Sequence, residues 1–290
     1  MRGVYTILVT PFDPLGRVDE ESLRRLVEFN LEAGVHGLGI ALGSEIFRLS
    51  EEERRQVTWI VVTQTRGRVP VVVNTGASGT DLAVLYSRMA QDDGADALMV
   101  MPPTFVPTTG DETCEYFEAI GREVPLPIFL QDTPATPISP ALAKRIGDVC
   151  PQASYIKVES LPLPQKVAEM VAAAGETLVV FGGAGGNAVV EELARGSQGT
   201  MPGCCQPEAF VRIWDLWQQG DRPGAMAVFT QFILPFNRFA CQGWGAFYYS
   251  SKELLRRRGV IASTTVRGPL TLPDAQTRRE LDELLETLYP

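Results

Sequence analysis

Lys157 is the residue best placed to do chemistry in this sequence. It is one of only four lysines in a chain that otherwise carries its positive charge on arginine, and it lies in the run Ser154–Glu159, which reads as a buried strand. Burial disfavours a charged amine, so we expect the pKa of Lys157 to be lowered toward the neutral form, which attacks ketones and forms Schiff bases. The alternative is a lysine at a strand end, whose ammonium group reaches solvent or pairs with Glu159.

Glu159 follows Lys157 by two positions. Side chains alternate along a strand, so Tyr155, Lys157 and Glu159 are predicted to share one face. If Lys157 faces inward, Glu159 also projects inward, where a buried carboxyl group can act as a general acid or base. The alternative is that Glu159 only neutralises Lys157 or caps the next helix.

The turn after the second predicted strand contains Gly43, Ser44 and Glu45. A tight turn can direct N–H groups and a hydroxyl at an anion, so Ser44 and the Gly43 amide are candidates to hold a substrate carboxylate. Glu45 would lie at the same end of the strands, beside this candidate binding site. A simple connecting turn, in which Glu45 accepts hydrogen bonds from backbone amides, is the alternative.

Two further strand ends carry candidate binding residues. Gly182 and Gly183 begin a glycine-rich run that ends at Gly186, and this run is either a phosphate-binding nest or a flat wall beside the substrate. Met201, at the end of the eighth strand, is a candidate to pack over the substrate, although core methionines are common.

Composition excludes several function classes. The net charge is −9 without a block of like charges, which argues against a nucleic-acid surface and against binding to an anionic membrane. A single histidine, His36, makes the common zinc sites and a histidine-based triad improbable. The five cysteines include no C-x-x-C pair, which predicts free thiols and a cytoplasmic location. The sequence shows neither a signal peptide nor a membrane span.

Eight short β-rich runs alternate with amphipathic helical stretches, which predicts a (β/α)8 TIM barrel. The predicted strands are Val4–Val9, Gly37–Leu42, Val69–Asn74, Ala97–Met101, Pro127–Gln131, Ser154–Val158, Leu178–Phe181 and Gly199–Met201. Residues 1–222 would form the barrel, and residues 223–290 a C-terminal helical region packed on it. In such barrels the chemistry takes place at the C-terminal ends of the strands.

Several short motifs, in this order, resemble the family of dihydrodipicolinate synthase and N-acetylneuraminate lyase. The matching segments are Leu8–Phe12, Gly43–Glu45 followed by Leu49–Arg54, Pro102–Pro103, Ile156–Lys157, Lys252 and Arg267–Leu270. The resemblance implies that Lys157 is the Schiff-base lysine, that the glycine run is a wall, and that neither a metal nor an organic cofactor is required. It also implies a homo-oligomer, a dimer or tetramer.

The departures from the family pattern lie at the proton-transfer positions. The tyrosine that ends the fifth strand in the family is replaced by Gln131, and the two tyrosines after the paired prolines are replaced by Thr104 and Phe105. An amide has no accessible pKa for proton relay, although Gln131 can orient a carboxylate or a hydroxyl. The family's arginine near the fifth strand aligns with Thr136. The chain is therefore not expected to be a dihydrodipicolinate synthase or a sialic acid lyase.

We therefore expect a Schiff-base lyase, an aldolase or dehydratase, that acts on a small 2-oxo acid such as a 2-keto-3-deoxy sugar acid. Lys157 would attack the ketone. Gln131 would orient a substrate hydroxyl group, and Glu159 would transfer the proton. One alternative is a barrel that binds a ligand for a regulatory purpose without turnover. Another is a phosphosugar-binding barrel enzyme that uses the glycine run.

Overall fold

Eight parallel strands close into a barrel in a computed structural model that describes residues 1–290. The strands are β1 (Gly3–Ile7), β2 (Gly37–Ile40), β3 (Val71–Asn74), β4 (Ala97–Val100), β5 (Ile128–Asp132), β6 (Ala153–Val158), β7 (Val179–Gly182) and β8 (Gly199–Thr200). Each strand pairs with the next, and β8 pairs with β1. The predicted (β/α)8 barrel is confirmed, with strand ends that differ by at most two residues from those expected.

The barrel has two cores because strand side chains alternate between its two faces. A small cluster of buried side chains fills the interior of the barrel, and its aromatic members are Tyr5, Phe129 and Phe181. Outside, the other face of each strand joins a much larger apolar cluster beneath the helices. The strands are nearly continuous apolar runs because both faces are covered.

Twelve α-helices surround and extend the barrel. They are α1 (Glu20–Glu32), α2 (Glu51–Thr65), α3 (Thr80–Asp92), α4 (Gly110–Glu123), α5 (Pro140–Val149), α6 (Leu163–Ala174), α7 (Val189–Ala194), α8 (Pro207–Gln218), α9 (Arg222–Val228), α10 (Leu234–Ala240), α11 (Trp244–Arg257) and α12 (Ala275–Leu288). Side-chain caps fix the starts of two of these helices. The Asp19 side chain accepts from the Ser22 amide, and Ser50 forms a reciprocal capping box with Glu53.

The segment from Arg222 to Phe239 reads as one helix in the sequence but is three pieces in the structure. A π-helical turn at Phe229–Ile233 separates α9 from α10. Pro235 accounts for the break, because proline has no N–H to donate and its ring collides with the carbonyl of the preceding turn. The predicted domain boundary at residue 222 stays a prediction.

No helix combines the length and the apolar character needed to cross a membrane. All five cysteines are free thiols, and only Cys241 is exposed.

Candidate active site

A cavity of about 310 Å³ opens at the C-terminal ends of the strands. Lys157 and Glu159 are the only charged residues that line it. The rest of the lining is apolar, glycine or uncharged polar, with aromatic walls from Trp244 and Phe247 of α11. A mostly apolar pocket with a few convergent polar groups is the usual form of a small-molecule site.

Lys157 lies in this cavity with a side chain that is only 5 % exposed. Its Nζ lies 3.0 Å from Oε1 of Glu159. The backbone of Gly183 passes directly beside the pair, since a Cβ at Gly183 would lie 2.8 Å from Lys157 Cε and 2.6 Å from Glu159 Cγ. The prediction that Lys157 and Glu159 share the inward face is confirmed; Lys157 is buried, and the Glu159 side chain is 14% exposed.

Glu159 is held by donors on three sides. Oε1 accepts from the Ala184 amide at 3.1 Å as well as from Lys157, and Oε2 accepts from Gln131 Nε2 at 3.0 Å. The side chain therefore has a fixed position beside the lysine. This arrangement can exchange a proton between amine and carboxylate within a single hydrogen bond.

Gln131 is oriented in turn by Asn74, a residue that the sequence analysis missed. Asn74 Nδ2 donates to Gln131 Oε1 at 3.0 Å, so the amide NH2 of Gln131 is turned toward Glu159. Asn74 ends β3 and is 2 % exposed, and its Oδ1 has no hydrogen-bond partner. A polar residue that ends an apolar strand is the signal that could have identified it.

Asp132 points away from the cavity, as strand alternation predicts. Its carboxylate accepts from the Ser160 amide at 3.1 Å and lies 2.8 Å from Lys166 Nζ. The Asp132 carbonyl also accepts from the Glu159 amide at 3.0 Å. Asp132 therefore fixes the chain that follows Lys157.

The turn after β2 corrects two expectations. The Ser44 hydroxyl donates to the Leu8 carbonyl and accepts from the Ala41 amide, so it is used within the protein. Glu45 adopts a left-handed conformation (φ 57°), and its buried Oε1 accepts from Lys252 Nζ at 2.6 Å. Neither residue lines the cavity, whereas Gly43 does, together with Leu42. Ser44 and Glu45 are therefore structural residues of the turn rather than direct substrate contacts.

The glycine run divides between two sides of the barrel wall. Gly183 faces Lys157, but Gly182 faces outward, and a Cβ there would lie 1.8 Å from Oε2 of Glu192. The predicted contact of Gly182 with substrate is thus corrected: its missing side chain makes room for Glu192. The Ala184 amide is already occupied by Glu159, so this amide is not free to bind a phosphate. Met201 lines the cavity, and its contact with substrate stays a prediction.

Glu192, on α7, is a buried acid that the sequence analysis did not single out. It is 1 % exposed, and neither carboxyl oxygen has a hydrogen-bond partner. Burial raises the pKa of Glu192 to about 8, and the negative charges of Glu159 and Glu191 contribute to the increase. Glu192 is therefore largely protonated at neutral pH. No three histidine, cysteine, aspartate or glutamate side chains are grouped so that they could hold a metal ion.

Comparison with known proteins gives a consistent match over the whole chain. The family model described as "Dihydrodipicolinate synthetase family" matches residues 1–288. An L-2-keto-3-deoxyarabonate dehydratase of Azospirillum brasilense is 30% identical over 100% of this chain and 95% of the relative. A 4-hydroxy-tetrahydrodipicolinate synthase of Acidithiobacillus ferrooxidans is 32% identical over 79% of this chain and 80% of the relative.

A solved structure of the same fold contains a 2-oxo acid. The prophage protein YagE of E. coli K12, in complex with pyruvate, superposes with a TM-score of 0.90 and is 25% identical. The superposition covers 99% of this chain and 98% of that one.

Proposed function

Because the chain belongs to the dihydrodipicolinate synthetase family, whose members compared above include a dehydratase and a synthase, we propose that it is a Schiff-base lyase acting on a 2-keto-3-deoxy sugar acid. The observation that carries the proposal is the ion pair of the buried Lys157 with Glu159, 3.0 Å apart, in the cavity at the strand ends. Dehydration is the favoured reaction, because one relative that this chain matches over its full length is an L-2-keto-3-deoxyarabonate dehydratase.

The reaction begins with transfer of the Lys157 proton to Glu159. The free amine attacks C2 of the ketone, and Glu159 returns the proton to the carbinolamine hydroxyl, which leaves as water. The resulting iminium draws electrons from C3, so the Glu159 carboxylate can remove a proton from C3 and leave an enamine. The enamine then expels the C4 hydroxyl, which Glu159 protonates to water. Hydrolysis releases the product and regenerates Lys157.

The substrate carboxylate is proposed to lie at the turn after β2. Leu42 and Gly43 line the cavity there, and Gly43 leaves the backbone open to an approaching anion. A Cβ at Gly43 would lie 3.0 Å from Ile7 Cγ2, so a larger residue would crowd this wall. Thr133 and Asn187 are the uncharged polar residues of the lining that can meet the hydroxyl groups of the sugar chain.

Product analysis tests the proposal and separates its alternatives. The protein is incubated with a panel of 2-keto-3-deoxy sugar acids, and the products are identified by mass. Dehydration gives the substrate minus one water, whereas aldol cleavage gives pyruvate and an aldehyde. An adduct on Lys157 without product would favour the alternative of a binding or regulatory barrel, and the absence of both adduct and product would contradict the proposal.

We also infer a homo-oligomer, a dimer or tetramer. Phe105 and Val106 follow β4 and are 89 % and 64 % exposed, so two adjacent large apolar side chains lie open to solvent. A second copy would cover them. Sedimentation velocity tests this inference, and a monomer at micromolar concentration would contradict it.

A further inference from the structure

Helix α11 contacts three of the four residues of the Leu42–Glu45 turn, which is the turn proposed to hold the substrate carboxylate. The Tyr248 hydroxyl donates to the Leu42 carbonyl at 2.6 Å. Phe247 packs against the open face of Gly43, where a Cβ would lie 3.4 Å from its ring. These contacts join residues that are more than 200 positions apart in sequence.

The third contact is a fully buried ion pair. Lys252 Nζ lies 2.6 Å from Glu45 Oε1 and also donates to the Thr265 carbonyl at 2.8 Å. The other carboxylate oxygen of Glu45 accepts from the Arg267 amide at 3.1 Å. Glu45 has positive φ, which is unfavourable for a residue with a side chain and persists only where surrounding contacts fix it. The C-terminal region therefore imposes the conformation of this turn.

We propose that Tyr248 and Lys252 are positioning residues for substrate-carboxylate binding: α11 holds the Leu42–Glu45 turn in the shape that presents the Gly43 backbone to the anion. The inference rests on the proposed function, because it assumes that the carboxylate binds at this turn. It goes beyond that function by assigning part of substrate recognition to the C-terminal helices rather than to the barrel alone.

Tyr248→Phe removes the hydrogen bond to Leu42 and leaves the ring, which stacks on Trp244 with centroids 5.6 Å apart. The ligands are pyruvate, and hydroxyacetone as a methyl ketone without a carboxylate. Calorimetry should show that the dissociation constant for pyruvate rises about five-fold in Y248F, the effect of one lost hydrogen bond, while that for hydroxyacetone is unchanged. A general loss of packing would weaken both ligands equally.

Tyr116→Phe is the matched control. Tyr116 is also buried, and its hydroxyl accepts from the Ala77 amide at 3.1 Å rather than bonding to a residue of the Leu42–Glu45 turn. Equal pyruvate affinity in Y248F and wild type, or equal losses for both ligands, would overturn the inference.

Borohydride trapping in parallel separates this inference from the proposed function. If the wild type forms no adduct but Y248F still binds pyruvate more weakly, the positioning role stands and the Schiff-base chemistry fails. If Lys157 is trapped in the wild type but the pyruvate affinity of Y248F is unchanged, the chemistry stands and the positioning role fails.

Discussion

Glu159 Oε1 lies 3.0 Å from Lys157 Nζ. Lys157 lies on the inner face of β6, and Glu159 directly follows the end of that strand and projects to the same side. The relationship follows from the strand repeat, since residues two positions apart project in the same direction. It gives the lysine a proton acceptor at hydrogen-bond distance without a tyrosine. A carboxylate thus occupies the place beside the amine from which it can transfer protons throughout the proposed reaction.

Glu159→Gln should slow both adduct formation and turnover. The amide keeps the size of the side chain but can neither take the proton of Lys157 nor protonate the carbinolamine, so kcat should fall by about 100- to 10,000-fold and the adduct on Lys157 should form more slowly. Steady-state kinetics and borohydride trapping measure the two effects. Glu169→Gln, at an exposed position on α6, is the control and should change neither. Full activity of E159Q would remove Glu159 from the mechanism.

Asn74→Ala should lower activity by releasing Gln131. Without the Asn74 donor, the Gln131 amide can rotate and present its oxygen to Glu159, and a displaced general base costs about 10- to 100-fold in kcat. Asn30→Ala is the matched control, because Asn30 is also buried and donates through Nδ2 to the Leu26 carbonyl. Both variants should lose about 1–3 kcal/mol of stability. If kcat falls equally in both, the effect of Asn74 is only structural.

Glu192→Gln should change how stability depends on pH. The pKa of Glu192 is about 8 in the folded protein and 4.5 as its ordinary value, so the folded state binds more protons between these values. The contribution of Glu192 to the free energy of unfolding is therefore fully present below about pH 4.5 and is lost as pH rises toward 8. The stability of E192Q relative to wild type should increase over this range. Parallel curves of melting temperature against pH for the two proteins would contradict this prediction.

Lys252→Met should destabilise the protein strongly, because it leaves the Glu45 carboxylate buried without a partner. Both side chains of the pair are 0% exposed, and breaking such a pair costs about 3–5 kcal/mol. The double variant with Glu45→Gln should recover part of the loss, since no charge then stays buried. Urea unfolding measures these free energies. Lys144→Met, which breaks an exposed pair with Asp148, should cost less than about 1 kcal/mol.

The sequence was sufficient to predict the parts of the site that depend on local geometry. The eight strands follow from short apolar runs, and the shared face of Lys157 and Glu159 follows from strand alternation. The orientation of Glu45 was not predictable in this way, because its left-handed backbone turns the side chain toward Lys252. Its partner comes from a helix 207 residues further along the chain, and no local pattern reports such a contact.

Asn74 and Glu192 were missed for a related reason. The role of Asn74 depends on the pairing of its side chain with Gln131, which comes from a strand that is not its neighbour. Glu192 lies on the short helix α7, and only the absence of a side chain at Gly182 makes room for it in the wall. Both depend on packing between elements rather than on periodicity.

Schiff-base formation by Lys157 is tested by borohydride reduction in the presence of pyruvate and 2-keto-3-deoxy sugar acids, read by intact mass and peptide mapping. We expect a single adduct on Lys157, with Lys144, Lys166 and Lys252 unmodified, and no adduct in the Lys157→Met variant. A folded wild-type protein that forms no adduct with any of these acids, or an adduct on a different lysine, would show that Lys157 does not act as the Schiff-base lysine.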